Sequence, residues 1–214
     1  MPLLDIPHIV LTFKKQFPMV KRLSSIVASS IMIAALILAT PVNADSKVTT
    51  GGRFILKSHT GKIVTDQDFA GKFMLVYFGY TYCPDICPTS LQTMTLALEE
   101  LGDQAKHFQP LFISVDPERD TPKVLAEYVS SFYPGMIGLT GSKVTIDSVT
   151  KKYRVKFSKV AEKNSDDDDY SVDHTSAIFL MGFDGRYLSR FGYNTTSQQM
   201  ADKLKQFADK VTDQ

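Results

Sequence analysis

The sequence of 214 residues has no tryptophan and only two cysteines. Two cysteines cannot form the set of disulfides that stabilises a small secreted scaffold, so the fold must depend on an apolar core. A surplus of positive charge is also missing. Residues 1–44 contain four basic residues and one acidic residue, which leaves 20 basic and 22 acidic residues beyond them. Nucleic-acid-binding proteins neutralise phosphates with basic side chains, and this charge balance excludes that class.

One uncharged, largely apolar run is long enough to matter for targeting. It covers residues 23–40, follows Lys21 and Arg22, and precedes the small residues at 42–44. Basic residues, an apolar run and then small residues are typical of an export signal. We therefore expect residues 1–44 to be an export signal, and residues 45–214 to form a domain in the periplasm or facing it from the inner membrane.

The same run has a second interpretation as a retained membrane anchor. Its 18 residues lie at the lower limit for crossing a bilayer of roughly 30 Å. Cleavage is favoured by the small residues at its end. The expected start is Met19, because a start there gives a conventional signal of 26 residues.

Short apolar segments predict the sheet. Phe54, Leu56, Ile63 and Val64 flank a turn at residues 58–61, which indicates an N-terminal β-hairpin. Three continuous apolar runs have the length of buried strands. They are residues 73–78, 111–115 and 177–181. A turn signal at residues 183–186 predicts that the third of these strands returns as an antiparallel neighbour.

Helical periodicity alternates with these strands. Apolar residues recur at three- and four-residue steps in four segments, namely 91–101, 125–132, 146–153 and 200–211. The first helix connects two predicted strands, as a parallel crossover requires. A parallel crossover followed by an antiparallel hairpin predicts an α/β fold, a thioredoxin-like mixed sheet flanked by helices.

The two cysteines, Cys83 and Cys87, are each followed by a proline. Proline disfavours a helical conformation in the residue before it, so we expect both cysteines at an exposed turn between a strand and a helix. Helix-terminus N–H groups lower thiol pKa values and so favour the thiolate, the form that binds metals and attacks disulfides. A structural disulfide or two inert core thiols is the alternative.

His174 is the histidine that we select as a candidate ligand. It lies just before the third predicted strand, whereas His8 falls in the leader, His59 in the hairpin turn and His107 in a surface loop. Most single histidines are surface or hydrogen-bonded residues and not ligands. Both interpretations, a metal ligand and an ordinary surface or hydrogen-bonded histidine, therefore stay open for His174. Two thiolates and an imidazole would form a soft three-donor site that suits copper, since structural zinc normally takes four protein ligands.

Three segments of the sequence together resemble the SCO/SenC family of copper chaperones. They are GYTYCPDICPTSL at 79–91, SVDPERDTP at 114–122 and DYSVDHTSAIFL at 169–180. The resemblance runs from about Phe54 to Phe207. It implies a thioredoxin-like domain over residues 45–214 that binds copper through Cys83, Cys87 and His174. Many members of the family keep a membrane anchor, and a tether is therefore a second expectation for residues 1–44.

The resemblance implies a metallochaperone that takes copper from an upstream donor and delivers it to the dinuclear copper centre in the copper-receiving subunit of cytochrome c oxidase. The alternative is a thiol-disulfide oxidoreductase that uses a redox disulfide between Cys83 and Cys87 to reduce the oxidase's copper-binding cysteines. A peroxide-reducing enzyme is a weaker third option. Dedicated oxidoreductases of this fold generally use a CxxC motif, and disulfide exchange does not require His174.

The acidic residues near these motifs have simpler interpretations. Asp120 or Thr121 is expected to cap the helix that Pro122 begins. Asp116 could also orient the cysteine segment or a docking partner, as the family motif suggests. Asp85 is favourable at a helix start without any functional role. The acidic run at residues 166–169 is expected to be a solvated loop, and a patch that faces a partner or attracts cations is the alternative.

Overall fold

A computed structural model of the chain describes residues 49–161 and 170–212. Residues 1–44, predicted to be an export signal or a membrane anchor, lie outside the described residues, and so does the acidic run at residues 166–169. Within the described ranges, no helix combines the length and the apolar character needed to cross a bilayer.

Seven strands form the central sheet, in the spatial order β2-β1-β5-β4-β3-β8-β9. Their bounds are Ile55–Ser58 (β1), Ile63–Thr65 (β2), Phe73–Gly79 (β3), Phe108–Ser114 (β4), Ile137–Thr140 (β5), Ala177–Met181 (β8) and Tyr187–Gly192 (β9). The two remaining strands, Phe157–Ala161 (β6) and Tyr170–His174 (β7), form a separate antiparallel pair.

Four α-helices connect or follow these strands in the part of the chain that the structure describes. They are Ile86–Glu100 (α1), Pro122–Val129 (α2), Lys143–Tyr153 (α3) and Ser197–Thr212 (α4). Helix α2 begins as predicted, because the Thr121 hydroxyl accepts a hydrogen bond from the Val124 N–H at 3.3 Å and Pro122 follows as the first helical residue. Short 3₁₀ helices cover Asp66–Phe69 and Gly102–His107.

The predicted sheet is confirmed in its main features. Strands β1 and β2 form the N-terminal hairpin, and β3 pairs in parallel with β4 across the crossover through α1. Strand β8 pairs antiparallel with β3 and with β9. Every residue of β3 and of β8 is buried, as their continuous apolar sequences predict.

Two features were not predicted. Strand β5 joins the sheet parallel to β4, and its four residues were too short to stand out in the sequence. The β6–β7 hairpin was also missed. Strand β6 is mostly exposed, and in β7 only Val172 is buried, so neither strand has the apolar pattern from which strands are predicted.

Candidate metal centre

The β3–α1 loop, residues 80–85, contains Cys83, and Cys87 lies in the first turn of α1. The prediction that both cysteines lie at an exposed turn is wrong, since Cys83 is 8% exposed and Cys87 is 0% exposed. Gly79 explains the burial of Cys87. A Cβ at residue 79 would lie 2.9 Å from Cys87 Sγ, so the absence of a side chain lets the sulfur pack directly against the end of β3.

The helical conformation of Cys87 also differs from the prediction. Pro88 was expected to keep Cys87 out of a helix, yet α1 begins at Ile86 with Asp85 as its N-cap. Pro88 is therefore the third residue of the helix, where a backbone N–H has no acceptor within the helix. The proline removes no helical hydrogen bond at this position, and the helix can include both residues.

His174, the last residue of β7, faces the cysteines. Its Nε2 lies 3.1 Å from Cys87 Sγ, and its Nδ1 lies 3.3 Å from the Thr175 carbonyl oxygen. Nδ1–H can donate to this carbonyl when a metal is bound, and Nε2 then carries the lone pair that binds the metal. The rings of Tyr77 and Tyr80 meet the imidazole edge-on at centroid distances of 5.9 and 6.0 Å and limit its rotation.

The three predicted residues therefore come together. Cys83, Cys87 and His174 offer three ligand atoms within 4.8 Å of one another, and no other such group of His, Cys, Asp or Glu occurs among the described residues. His59 instead accepts a hydrogen bond from the Gly138 N–H at 3.0 Å in the first hairpin. His107 ends the second 3₁₀ helix, and His8 lies outside the described residues.

The two sulfurs have opposite proton affinities. A hydrogen bond from the Cys87 thiol is the main cause that lowers the pKa of Cys83 to about 4, with contributions from His174 and from the Cys87 N–H, which lies 3.4 Å from Cys83 Sγ. The same hydrogen bond, together with burial, raises the pKa of Cys87. These opposite shifts favour a thiolate at Cys83 and a thiol at Cys87.

Asp120 contacts the cysteine loop, which the sequence analysis missed. Its buried carboxylate accepts hydrogen bonds from the Thr81 N–H at 3.1 Å, the Thr81 hydroxyl at 2.6 Å and the Ser114 hydroxyl at 2.6 Å. Burial raises the pKa of Asp120, and these hydrogen bonds partly oppose it. Because Thr81 lies two residues before Cys83, Asp120 connects the β4–α2 loop, residues 115–121, with the cysteine loop.

The role suggested for Asp116 was orientation of the cysteine segment, and its side chain instead contacts β7. The Asp116 carboxylate is buried and accepts hydrogen bonds from the Tyr170 hydroxyl at 2.8 Å and from Arg119 Nε at 2.5 Å. Asp85 is the N-cap residue of α1, but its side chain makes no capping hydrogen bond. The Asp85 carboxylate instead accepts a hydrogen bond from the Thr89 hydroxyl at 3.4 Å, and the Asp85 backbone N–H helps to lower the pKa of Cys83.

The sequence of this chain is similar to a family model and to sequences of known proteins. A family model described as SCO1/SenC matches residues 42–209. The human protein named "Protein SCO1 homolog, mitochondrial" is 43% identical over 160 residues, which are 74% of this chain and 52% of the human protein. The chain therefore spans about half the length of that relative.

Solved structures give the same result. The structure of Bradyrhizobium japonicum ScoI with copper bound is similar with a TM-score of 0.68 and 46% identity, over 74% of this chain and 99% of that chain. BsSco, described as a member of the Sco family of cytochrome c oxidase assembly proteins with a disulfide switch, has a TM-score of 0.59 and 25% identity, over 75% of this chain and 94% of its own. Since the family model covers nearly all of the thioredoxin-like body, the chain belongs to the SCO1/SenC family.

Proposed function

We propose that this protein is a copper metallochaperone that binds copper through Cys83, Cys87 and His174. The observation that supports the proposal most directly is the convergence of three soft ligand atoms within 4.8 Å. The sulfur of Cys87 and Nε2 of His174 are 3.1 Å apart although 87 residues separate them in the sequence. Copper binding by the related Bradyrhizobium protein supports the same assignment.

The donor set favours Cu(I) over other metals. Thiolates are soft ligands that select Cu(I), whereas Mg²⁺ and Ca²⁺ prefer oxygen ligands. The group of Cys83, Cys87 and His174 offers two sulfurs and one nitrogen and contains no oxygen ligand. Structural zinc is normally held by four protein ligands, and the group contains three. A three-donor site leaves a position open to an incoming ligand, and transfer of a metal to another protein by ligand exchange requires such a position.

The different burial of the three ligands determines the side from which an incoming ligand can reach the bound copper. Cys87 is completely buried beneath the loop, while Cys83 is slightly exposed and His174 is half-buried. An incoming ligand therefore reaches copper from the side of Cys83 and His174. Exchange begins at that side, and Cys87 is the last residue to release the ion.

The recipient that we propose is the copper-receiving subunit of cytochrome c oxidase, at its dinuclear copper centre. Membership of the SCO1/SenC family supports this, and so does the description of BsSco as a cytochrome c oxidase assembly protein. An upstream donor supplies the copper. The protein works in the periplasm or at its inner-membrane face, with residues 1–44 as a removed signal or a tether.

A thiol-disulfide oxidoreductase is the second candidate, and one specific observation favours it. The lowered pKa of Cys83, about 4, makes this residue a thiolate at neutral pH, which is the attacking form in disulfide exchange. In this role Cys83 would attack a disulfide between the copper-binding cysteines of the oxidase, and Cys87 would then attack the mixed disulfide. The two oxidase thiols would be released, and a disulfide would join Cys83 and Cys87.

Removal of His174 distinguishes the two candidates, because it leaves both sulfurs in place. In the chaperone, His174→Ala loses one of three ligands, and Cu(I) affinity falls by more than the roughly 10–100-fold effect of changing an outer partner of a ligand. His107→Ala is the matched control, since His107 is not part of the group. Affinity is measured by competition with a Cu(I) chelator under reducing conditions, beside a thermal melt that checks folding.

The second measurement is oxidase activity in cells that lack this protein. If the protein delivers copper, His174→Ala fails to restore activity, as does Cys83→Ala. If it acts only as an oxidoreductase, His174→Ala restores activity almost fully while Cys83→Ala does not. Full restoration by His174→Ala, with its copper affinity reduced, would replace the first candidate with the second.

A further inference from the structure

The strand that ends in His174 is not part of the central sheet. Strand β7 pairs with β6 alone among the described strands, in a two-stranded sheet that pairs Tyr170 with Ala161 and His174 with Phe157. Two-stranded hairpins are marginally stable by themselves. In this hairpin, Val172 is the only residue of β6 and β7 that is buried in the core. Contacts outside the hairpin must therefore fix the position of His174.

Tyr170, at the other end of β7, makes such contacts with the β4–α2 loop. Its hydroxyl donates a hydrogen bond to Asp116 at 2.8 Å, and its carbonyl oxygen accepts one from Arg119 at 3.0 Å. The guanidinium of Arg119 also lies 3.6 Å from the centroid of the Tyr170 ring, a close cation–π contact. One residue of β7 is thus held through its backbone, its ring and its hydroxyl.

The loop that holds Tyr170 is itself rigidly bound. Arg119 Nε lies 2.5 Å from the Asp116 carboxylate, and these side chains are only 16% and 0% exposed. The backbone N–H of Asp120 donates to the Asp116 carbonyl oxygen at 3.0 Å, which makes a single turn of the chain. The carboxylate of Asp120 in turn binds Thr81 in the cysteine loop. The β4–α2 loop therefore contacts both the strand of His174 and the loop of Cys83.

Strand geometry connects the two ends of β7. Residues 170, 172 and 174 lie on one face of the strand, because side chains alternate, and Tyr170 is about 13 Å from His174 along it. Val172 on this face is buried and Tyr170 and His174 are half-buried, while on the other face Ser171 is half-buried and Asp173 is exposed. The contacts of Tyr170, Val172 and His174 on this face determine how β7 lies on the rest of the protein. A change in the contacts of Tyr170 therefore changes the position of His174.

We infer that Arg119, paired with Asp116, is a positioning residue of the copper site. It holds Tyr170 and thereby places His174 within bonding distance of the copper that the two sulfurs bind. Arg119 supplies no ligand. The inference rests on the proposed function, because it assumes that His174 binds copper.

Two variants test this role. Arg119→Gln removes the charge, the hydrogen bond to Tyr170 and the cation–π contact, and we expect Cu(I) affinity to fall by about 10–100-fold. Tyr170→Phe removes only the hydroxyl and leaves the buried Arg119–Asp116 pair intact, and we expect a fall of about tenfold. If Arg119→Gln leaves Asp116 unpaired and does not fold, Tyr170→Phe decides.

Arg186→Gln is the matched control. Arg186 pairs with Asp184 at 3.0 Å in an exposed turn, where the side chains are 85% and 56% exposed. It is an arginine–aspartate pair of the same kind at a surface where such pairs contribute little. We expect this variant to bind Cu(I) as the parent does, so a loss that is specific to Arg119 and Tyr170 reflects their place beside β7.

Two readouts separate positioning from general destabilisation. X-ray absorption of the Cu(I) protein should show two sulfur ligands and one nitrogen ligand in the parent, with the nitrogen weakened or lost in Arg119→Gln and Tyr170→Phe. Amide hydrogen exchange in the metal-free variants should increase in β7 but remain at the parental level in β3 and β4.

The outcomes distinguish this inference from the proposed function. If His174→Ala weakens copper binding but both Arg119→Gln and Tyr170→Phe keep parental affinity and the nitrogen ligand, the positioning role is wrong and the proposed function stands. If His174→Ala itself leaves copper binding unchanged, the proposed ligand set fails, and the inference fails with it.

Discussion

Gly79→Ala tests whether the sulfur of Cys87 depends on a glycine in β3. An added Cβ would lie 2.9 Å from Cys87 Sγ and 3.0 Å from ring carbons of Tyr77 and Phe112. Real Cβ atoms essentially never come closer than 3.0 Å to another atom, so one of these groups must move. None has free space, because all three residues are completely buried.

The expected magnitude follows from overpacking. An extra methyl group in a well-packed core costs roughly 1–3 kcal/mol. For a domain of this size each kcal/mol lowers the melting temperature by about 2–4 °C, so Gly79→Ala should melt about 2–12 °C below the parent. Displacement of Cys87 Sγ should also weaken Cu(I) binding, since the three donors would no longer converge on one point.

Gly192→Ala is the matched control, because Gly192 is also a strand glycine, at the end of β9, and a Cβ there meets no atom within 4 Å. Thermal melts of the metal-free proteins and Cu(I) competition on all three proteins complete the comparison. If Gly79→Ala melts within about 1 °C of Gly192→Ala and binds Cu(I) equally well, close packing at Gly79 does not determine the site.

Two further predictions follow from the opposite proton affinities of the cysteines. The rate of Cys83 alkylation in the metal-free protein, measured by mass spectrometry, should stay constant as the pH falls from 8 to 6. It should decrease only near the Cys83 pKa of about 4, because the thiolate is the form that reacts. A decrease that is already complete at pH 7 would contradict the lowered pKa. Copper binding at pH 7 should release about one proton from the cysteine pair. This proton comes from Cys87, because Cys83 is already ionised. Calorimetry in buffers of different ionisation enthalpy counts these protons, and release of two would mean that both cysteines are thiols beforehand.

Strands β3 and β8 of the central sheet were predictable because every one of their residues is buried. Residues 73–78 and 177–181 are continuous apolar runs, and the structure contains strands at both positions. The β6–β7 hairpin was not predictable, since its residues are mostly exposed and gave no apolar period. Its residue Tyr170 contacts Arg119 and Asp116, which are distant in sequence, and a local pattern cannot contain that information.

The burial of the cysteines was mispredicted because only local signals were considered. Pro84 and Pro88 indicate a loop, and the loop exists, but Cys87 is buried against the end of β3, where Gly79 has no side chain. The contact of Asp120 with the cysteine loop was also not predicted. A carboxylate just before a helix is usually a cap, and only its distance to Thr81 reveals the connection to the cysteine loop.

The location of the site follows from the sheet topology, of which the sequence predicted the parallel crossover between β3 and β4 but not the pairing of β8 with β3. Strands β3 and β4 are parallel, with Gly79 opposite Ser114, so the loops after both strands leave the sheet at the same edge. Strand β8 is antiparallel to β3, with Ile178 opposite Tyr77, so β8 begins at the edge where β3 ends. A residue shortly before β8 must therefore lie near the residues that follow β3. The observed strand order brings His174 to the cysteines, whereas its orientation requires the contacts of Tyr170 with the β4–α2 loop.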